Sequence, residues 1–401
     1  MGKLINLNVF KNFLRSNNAG GILLFSCVII SMIVANSPLA GWLHTLLDTR
    51  VGFETASIHL NYSVLMWIND GLMAIFFLMV GLEIKREIVE GELSSPRQAS
   101  LPILCAFGGA VVPALIYLFF NAGSVTAGGW GIPMATDIAF ALAVIGLLDK
   151  RVPPSLKIFL AALAIVDDLI AILVIAFFYS AGLETTYLLY ALAGMAVLFL
   201  MNRLNLQNPY LYLIPGAFIW YFIHHSGIHA TIAGVLVAMT IPTNDTADES
   251  PLERLEHALL KPVNFFIIPV FAFANTNITL LPEMAHGLIA PLGLGISLGL
   301  LLGKPLGILL MSFICSKLKI SQLPEGSNYK HMLGVGLLAG IGFTMSIFIA
   351  ILSFGDPLYI KEAKLSILLT SILAGLLGYF FLRKTGKTLP AKSPLQDGID
   401  S

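Results

Sequence analysis

Apolar runs of about 20 residues recur along the whole chain, separated by short polar segments. A helix needs about 20 apolar residues to cross a hydrocarbon core. On that basis the pattern predicts twelve spans, near 19–36, 61–84, 100–120, 127–148, 156–179, 185–202, 209–224, 227–241, 260–278, 289–316, 331–353 and 363–382. The chain is 57% hydrophobic and 11% charged, against about 25% charged in soluble domains. The reading is an all-α polytopic membrane protein. It has one transmembrane domain over 1–385, with a polar tail, 386–401, expected to be disordered.

Charge placement gives the topology. Nineteen of the 23 lysines and arginines fall at the N-terminus, in the loops after even-numbered spans or in the tail. Arg50, Lys361 and Lys364 lie at the opposite face, and Lys304 lies within a span. Positive residues mark the cytoplasmic side, so both termini are expected there. The first run follows Lys3, Lys11 and Arg15 and is too long for a signal-peptide core, which makes it a retained span. The outer loop after it carries T-R-V-G-F-E-T-A-S and reads as a small hairpin around Gly52. Zero net charge gives no field toward nucleic acid, and the widely spaced Cys27, Cys105 and Cys315 read as packing residues.

Three spans depart from a plain apolar helix. Span 4 carries G-I-P-M-A-T-D at Gly131–Asp137, span 11 carries A-G-I-G-F-T-M-S at Ala339–Ser346, and span 10 carries L-G-K-P-L-G at Leu302–Gly307. Interruptions of this kind at matching places in two halves point to a transporter site. Spans 3–5 and 10–12 fit that pattern as inverted repeats, with spans 4 and 11 as the interrupted helices.

The intramembrane ionisable set is Asp137, Asp167, Asp168 and Lys304. A charge at mid-bilayer costs at least about 2.5–3.5 kcal/mol on insertion scales, so such groups are functional candidates. Asp167 and Asp168 are adjacent and project about 100° apart. One can hold a ligand while the other meets a different partner. Opened helices expose ends of opposite partial charge. Asp137 suits the N-terminal ends, and Lys304 suits the C-terminal ends or an aspartate. Carboxylate and hydroxyl oxygens without thiolate or imidazole suit a hard cation or a proton. A site that takes either one, never both, exchanges them.

A second cluster comprises Glu83, Lys85, Arg86 and Glu87 at the end of span 2, with Glu253, Arg254, Glu256 and His257 in the loop before span 9. It reads as a pH sensor or cation funnel, or as an interfacial charge ring. His224, His225 and His229 lie near a short outer loop with no carboxylate close in sequence, which favours interfacial packing over metal binding.

These stretches resemble the NhaA-type sodium/proton antiporters of bacterial inner membranes. The resemblance rests on N-D-G-L-M-A-I-F-F at Asn69–Phe77, G-L-E-I-K-R-E at Gly81–Glu87, P-M-A-T-D-I-A-F-A-L at Pro133–Leu142 and A-L-A-I-V-D-D-L at Ala162–Leu169. It continues with S-G-I-H-A-T at Ser226–Thr231, F-A-F-A-N at Phe271–Asn275, G-K-P-L-G-I at Gly303–Ile308 and G-I-G-F-T-M-S-I-F-I-A at Gly340–Ala350. The resemblance implies two opened helices crossing at mid-membrane. Asp168 would be the chief cation and proton carboxylate, with Asp167 beside it; the Thr136 hydroxyl, placed at mid-depth by its position in span 4, is a further candidate oxygen. Asp137 and Lys304 would compensate the opened helices, with Lys304 able to pair with Asp167. The implied activity is electrogenic export of sodium or lithium, two protons entering per ion, with no cofactor. Glu83, Lys85, Glu87, His229, Glu256 and His257 match positions tied to pH response. A homodimer is implied through the outer loop near Arg50–Ser57. One departure stands out: Leu260 and Lys261 precede Pro262 where a second histidine is often found.

Two other classes also use buried carboxylates or conduct cations. An intramembrane aspartyl protease needs facing carboxylates, which adjacent aspartates do not provide, although Asp137 with Asp168 would. A passive cation channel has no need of a buried Lys304.

Overall fold

The computed structural model describes residues 19–55, 59–148, 151–180, 182–243, 249–280 and 284–385. The tail 386–401, Lys150 and the Ala56–Ser57 part of the loop named above lie outside the described residues. The fold is helical apart from one hairpin. Helix α1, Ala19–Ala35, bends by 110° into α2, Ala40–Asp48. Strands β1, Arg50–Glu54, and β2, His59–Ser63, pair antiparallel with Gly52 opposite Asn61. Gly52 is therefore a strand residue and not the turn expected from the sequence. A Cβ there would strike the Leu60 carbonyl.

Next come α3, Val64–Val89, and α4, Pro96–Asn121. A 3-10 segment, Ala127–Met134, leads through three extended residues into α5, Ile138–Gly146. Then follow α6, Pro154–Phe178; α7, Thr185–Arg203; α8, Tyr210–His225; and the nine-residue α9, Ile232–Thr240. The chain ends with α10, Pro251–Asn275; α11, Met284–Ile289; α12, Pro291–Lys317; α13, Tyr329–Ala339; α14, Phe343–Ser353; and α15, Pro357–Thr385. Among the described residues, eight helices are long and apolar enough to cross a membrane, or ten if each of two bent pairs is one span.

The segment Glu253–His257, expected as loop, is the start of α10. Ser250 and Glu253 form a reciprocal capping box there, the serine oxygen taking the Glu253 amide at 3.2 Å and the glutamate taking the Ser250 amide at 2.8 Å.

The surface is apolar where a soluble protein would be polar: Phe119, Phe177 and Ile214 are 83%, 78% and 61% exposed. The centre holds buried polar groups, including Thr136, Asp137, Asp167, Asp168, Lys304 and Ser346. A membrane rewards that inversion, since lipid solvates the rim and each interior polar group must find a protein partner.

Two close crossings fix the central helices. Glycines 295, 299, 303 and 307 of α12 recur every four residues and so lie on one helix face. A Cβ on Gly303 would sit 2.7 Å from Pro113 Cα, and one on Gly307 would strike the Gly108 carbonyl of α4. Only glycine admits that backbone approach. Similarly, a Cβ on Gly81 of α3 would lie 3.0 Å from Val235 Cα of α9.

Candidate functional site

The centre is built from interruptions. Pro133 and the extended Ala135–Asp137 stop one helix before α5 begins, and Gly340–Gly342 separate α13 from α14 with a 50° bend. Each break leaves unpaired amides at the new N-terminus and unpaired carbonyls at the old C-terminus. The two breaks satisfy each other. The Asp137 amide donates to the Ile341 carbonyl at 2.6 Å. Thr136 Oγ1 donates to the Ala339 carbonyl at 2.9 Å, and Ser346 Oγ donates to the Ile132 carbonyl at 2.7 Å.

Asp137 serves both N-terminal ends. Its Oδ1 accepts from the Phe140 amide at 3.1 Å, and its Oδ2 accepts from the Thr344 amide at 3.1 Å and the Thr344 hydroxyl at 2.5 Å. The carboxylate thus lies where two positive helix ends converge.

Lys304 starts the regular part of α12, directly after a wide turn over Gly299–Gly303. Pro305 has no amide to offer the Leu301 carbonyl, which removes one regular helix bond there. Lys304 is wholly buried and donates to Asp167 Oδ2 at 2.5 Å. Of the two partners expected for Lys304, the structure therefore shows the aspartate. The exposed carbonyl ends are met by the hydroxyls of Thr136 and Ser346.

Asp167 and Asp168 occupy the middle of α6 and are both buried. Their surroundings differ. Asp167 is engaged by Lys304, with the Thr136 hydroxyl and amide also facing it. Asp168 Oδ1 is buried with no hydrogen-bond partner. The helical rotation between neighbours accounts for the split. A carboxyl oxygen with unengaged lone pairs, beside an ion pair, has the chemistry to take a proton or a small cation. Among the described residues no group of three or more His, Cys, Asp or Glu could hold a resident metal ion. A hard monovalent ion here would need carbonyl and hydroxyl oxygens besides Asp168.

The other sequence candidates separate into smaller groups. Arg86 Nε donates to Glu256 Oε2 at 2.9 Å and reaches Glu87 Oε1 at 3.3 Å. Glu83 lies within electrostatic reach of Glu256, Arg86 and Glu87, and of Asp168. Lys85 turns elsewhere: its ammonium donates to the Met239 and Ile241 carbonyls at 2.9 and 2.5 Å, capping the end of α9. His257 is exposed and pairs with Glu249 at 2.8 Å, so the structure does not bring it into the Arg86 cluster.

His229 does have a carboxylate nearby, contrary to the sequence reading. Asp70, in a wide turn at Trp67–Leu72, lies 3.7 Å from His224 and 3.9 Å from His229. His229 also meets Thr231 at 3.1 Å and packs edge-on to Phe348 of α14. Asp70 was missed although its signal, an acid inside an apolar run, is the one that marked Asp168. Lys364, expected at the outer face, is a buried residue of α15. Its ammonium reaches Asn275 Oδ1 at 3.4 Å, and the Asn275 amide reaches Asn69 Oδ1 at 2.7 Å.

Comparison with known proteins gives a consistent answer. The sequence profile described as Na+/H+ antiporter 1 matches residues 11–382. The chain is similar to Na(+)/H(+) antiporter NhaA 2 of Flavobacterium johnsoniae, at 60% identity over 96% of this chain and 95% of that one. It is also similar to NhaA of Escherichia coli, at 49% identity over 92% and 97% of the two chains. Among solved structures, the sodium proton antiporter MjNhaP1 from Methanocaldococcus jannaschii shares the fold. That likeness has a TM-score of 0.50 at 14% identity, covering 95% of this chain and 99% of the other.

Proposed function

The chain belongs to the Na+/H+ antiporter 1 family and is a membrane sodium/proton antiporter by that membership; we propose that Asp168 is the carboxylate that carries sodium or lithium one way and a proton the other. The observation that supports this is the buried, unpartnered Asp168 oxygen beside the Lys304–Asp167 pair. Asp168 loses its proton on the cytoplasmic side and binds the cation together with Asp167 and oxygens of the opened region, Thr136 among them. The loaded carrier rearranges, releases the cation outside and resets on protonation. Asp137 keeps the two N-terminal helix ends compensated throughout.

In this reading two protons enter per sodium ion, and the inside-negative potential contributes about 2.3 kcal/mol per net charge per 100 mV. The protein lies in a bacterial inner membrane with both termini cytoplasmic. The spans number twelve, with inverted repeats in spans 3–5 and 10–12. Glu83, Glu87 and Glu256, joined through Arg86, form the cytoplasmic part of the pH response, and His229 forms an outer part. Lys85 acts there through its hold on α9, and His257 acts through the field it adds next to Glu256.

The protease alternative is weakened by Asp137, whose oxygens are both engaged as helix caps. The test is proton movement in proteoliposomes holding an inside-acid gradient, with sodium, lithium or potassium added outside. Dissipation by sodium and lithium but not potassium, faster under a membrane potential of the matching sign, is the expected result. Sodium flux without proton movement would replace antiport by a channel.

A further inference from the structure

The N-terminus of α14 is capped from outside its own chain segment. Its first amides have no partner within the helix because it starts at a break, and the residue before Phe343 is Gly342, which has no side chain to serve as a cap. Asp137 takes the Thr344 amide. The Phe343 amide goes to Ser371 Oγ of α15 at 3.1 Å, and Ser371 is buried.

The same face of α15 follows the break closely. Ser371, Gly375 and Gly378 are spaced i, i+4 and i+7 and so line one side of the helix. A Cβ on Gly375 would lie 3.5 Å from Ile341, and one on Gly378 would lie 3.2 Å from the Leu338 amide. Small residues thus let α15 run against Leu338–Phe343, and the serine sits where the break turns back into helix.

We propose that Ser371 is a positioning residue for the exchange reaction, capping the opened span from α15 and thereby setting how strongly the site holds a cation. This rests on the assignment of Asp168 as the cation carboxylate. The physical argument is one of sign. Asp137 already accepts from Phe140, from the Thr344 amide and from the Thr344 hydroxyl. Without the serine oxygen, the Phe343 amide adds an uncompensated positive end next to the one that Asp137 caps; Asp137 lies within electrostatic reach of Asp168, and the added positive field opposes a bound cation.

The experiment compares wild type, Ser371→Ala and Ser371→Thr in proteoliposomes, each shown to elute as a single species and to melt as wild type does. Ser371→Ala is expected to raise the half-saturating sodium concentration about two- to fivefold while the maximal rate stays near wild type. Ser371→Thr keeps an acceptor oxygen and is expected to restore the wild-type value. If Ser371→Ala does not fold, Ser371→Val against Ser371→Thr decides, since the two share a shape and differ in the oxygen. An unchanged half-saturation in the folded variant lacking the oxygen overturns the proposal, as does an equal fall in maximal rate in both variants at constant half-saturation. A wild-type protein with no sodium/proton exchange would instead remove the assignment on which the proposal stands.

Discussion

At the scale of single residues, the two central aspartates have nearly equal burial and opposite partnering. Asp168 Oδ1 has no hydrogen bond to lose, so Asp168→Asn is expected to keep the fold and abolish exchange, because an amide does not alternate between a proton and an ion. Flux in proteoliposomes and the elution profile of the same preparation check this; a folded variant with normal exchange would refute the role given to Asp168. Asp167 is the contrary case, a carboxylate with a wholly buried ammonium at 2.5 Å. Removing one member of such a pair leaves the other as an uncompensated buried charge, a loss of about 3–5 kcal/mol. Lys304→Met is therefore expected to lower the melting temperature markedly. Lys304→Met with Asp167→Asn is expected to recover much of the loss, since the second change removes the stranded charge. Melting curves for the two singles and the double complete the cycle. Additive effects would mean that the pair is not coupled in the native protein.

At the scale of elements, α12 is held to α4 by backbone contact along its glycine face, and that contact places Lys304 against α6. Gly307→Val puts a branched side chain where the Gly108 carbonyl already lies. The expected result is a loss of stability of about 1–3 kcal/mol or more from overpacking. A gap between α4 and α12 would also draw Lys304 away from Asp167. A wild-type melting temperature in that variant would show that the crossing is looser than drawn. The glycines and prolines that mark this crossing and the two broken spans were legible in the sequence, because each changes what the backbone itself can do. The wide turns at Trp67–Leu72, Val263–Ile267 and Gly299–Gly303 were not, since a one-residue slip in hydrogen-bond register leaves no compositional mark. The start of α10 was readable in retrospect. Ser250 and Glu253 have capping-box spacing with Pro251 at the first helical position, but the charged run Glu253, Arg254, Glu256 and His257 reads as a loop. Adjacency misled at Glu256 and His257, where a rotation of about 100° per residue turns one toward Arg86 and leaves the other exposed.

At the scale of the whole molecule, the hairpin is the one β-sheet among the described residues. A two-stranded sheet is marginal by itself in water. This one is fastened where Trp67 Nε1 donates to the Val51 carbonyl at 2.9 Å. Among the described residues the sheet has no third strand, so outside the Trp67–Val51 contact and a 3.3 Å bond from the His59 amide to Tyr221 Oη its outer edges are a ready template for another chain. Val51 and Phe53 alternate onto one face of β1 and are 51% and 55% exposed. An exposed apolar face beside such an edge suits a second copy of the same chain, and we propose that a homodimer forms there. Val51→Ser with Phe53→Ser keeps the backbone ladder and removes the apolar face. The double variant is expected to shift from dimer to monomer in light scattering of the detergent-solubilised protein. Sodium-driven proton movement should persist, because Asp168, Asp167 and Lys304 of one copy lie together within that copy's own helices. A dimer that survives both substitutions would move the interface elsewhere. Loss of exchange together with loss of the dimer would make the partner copy part of the working unit.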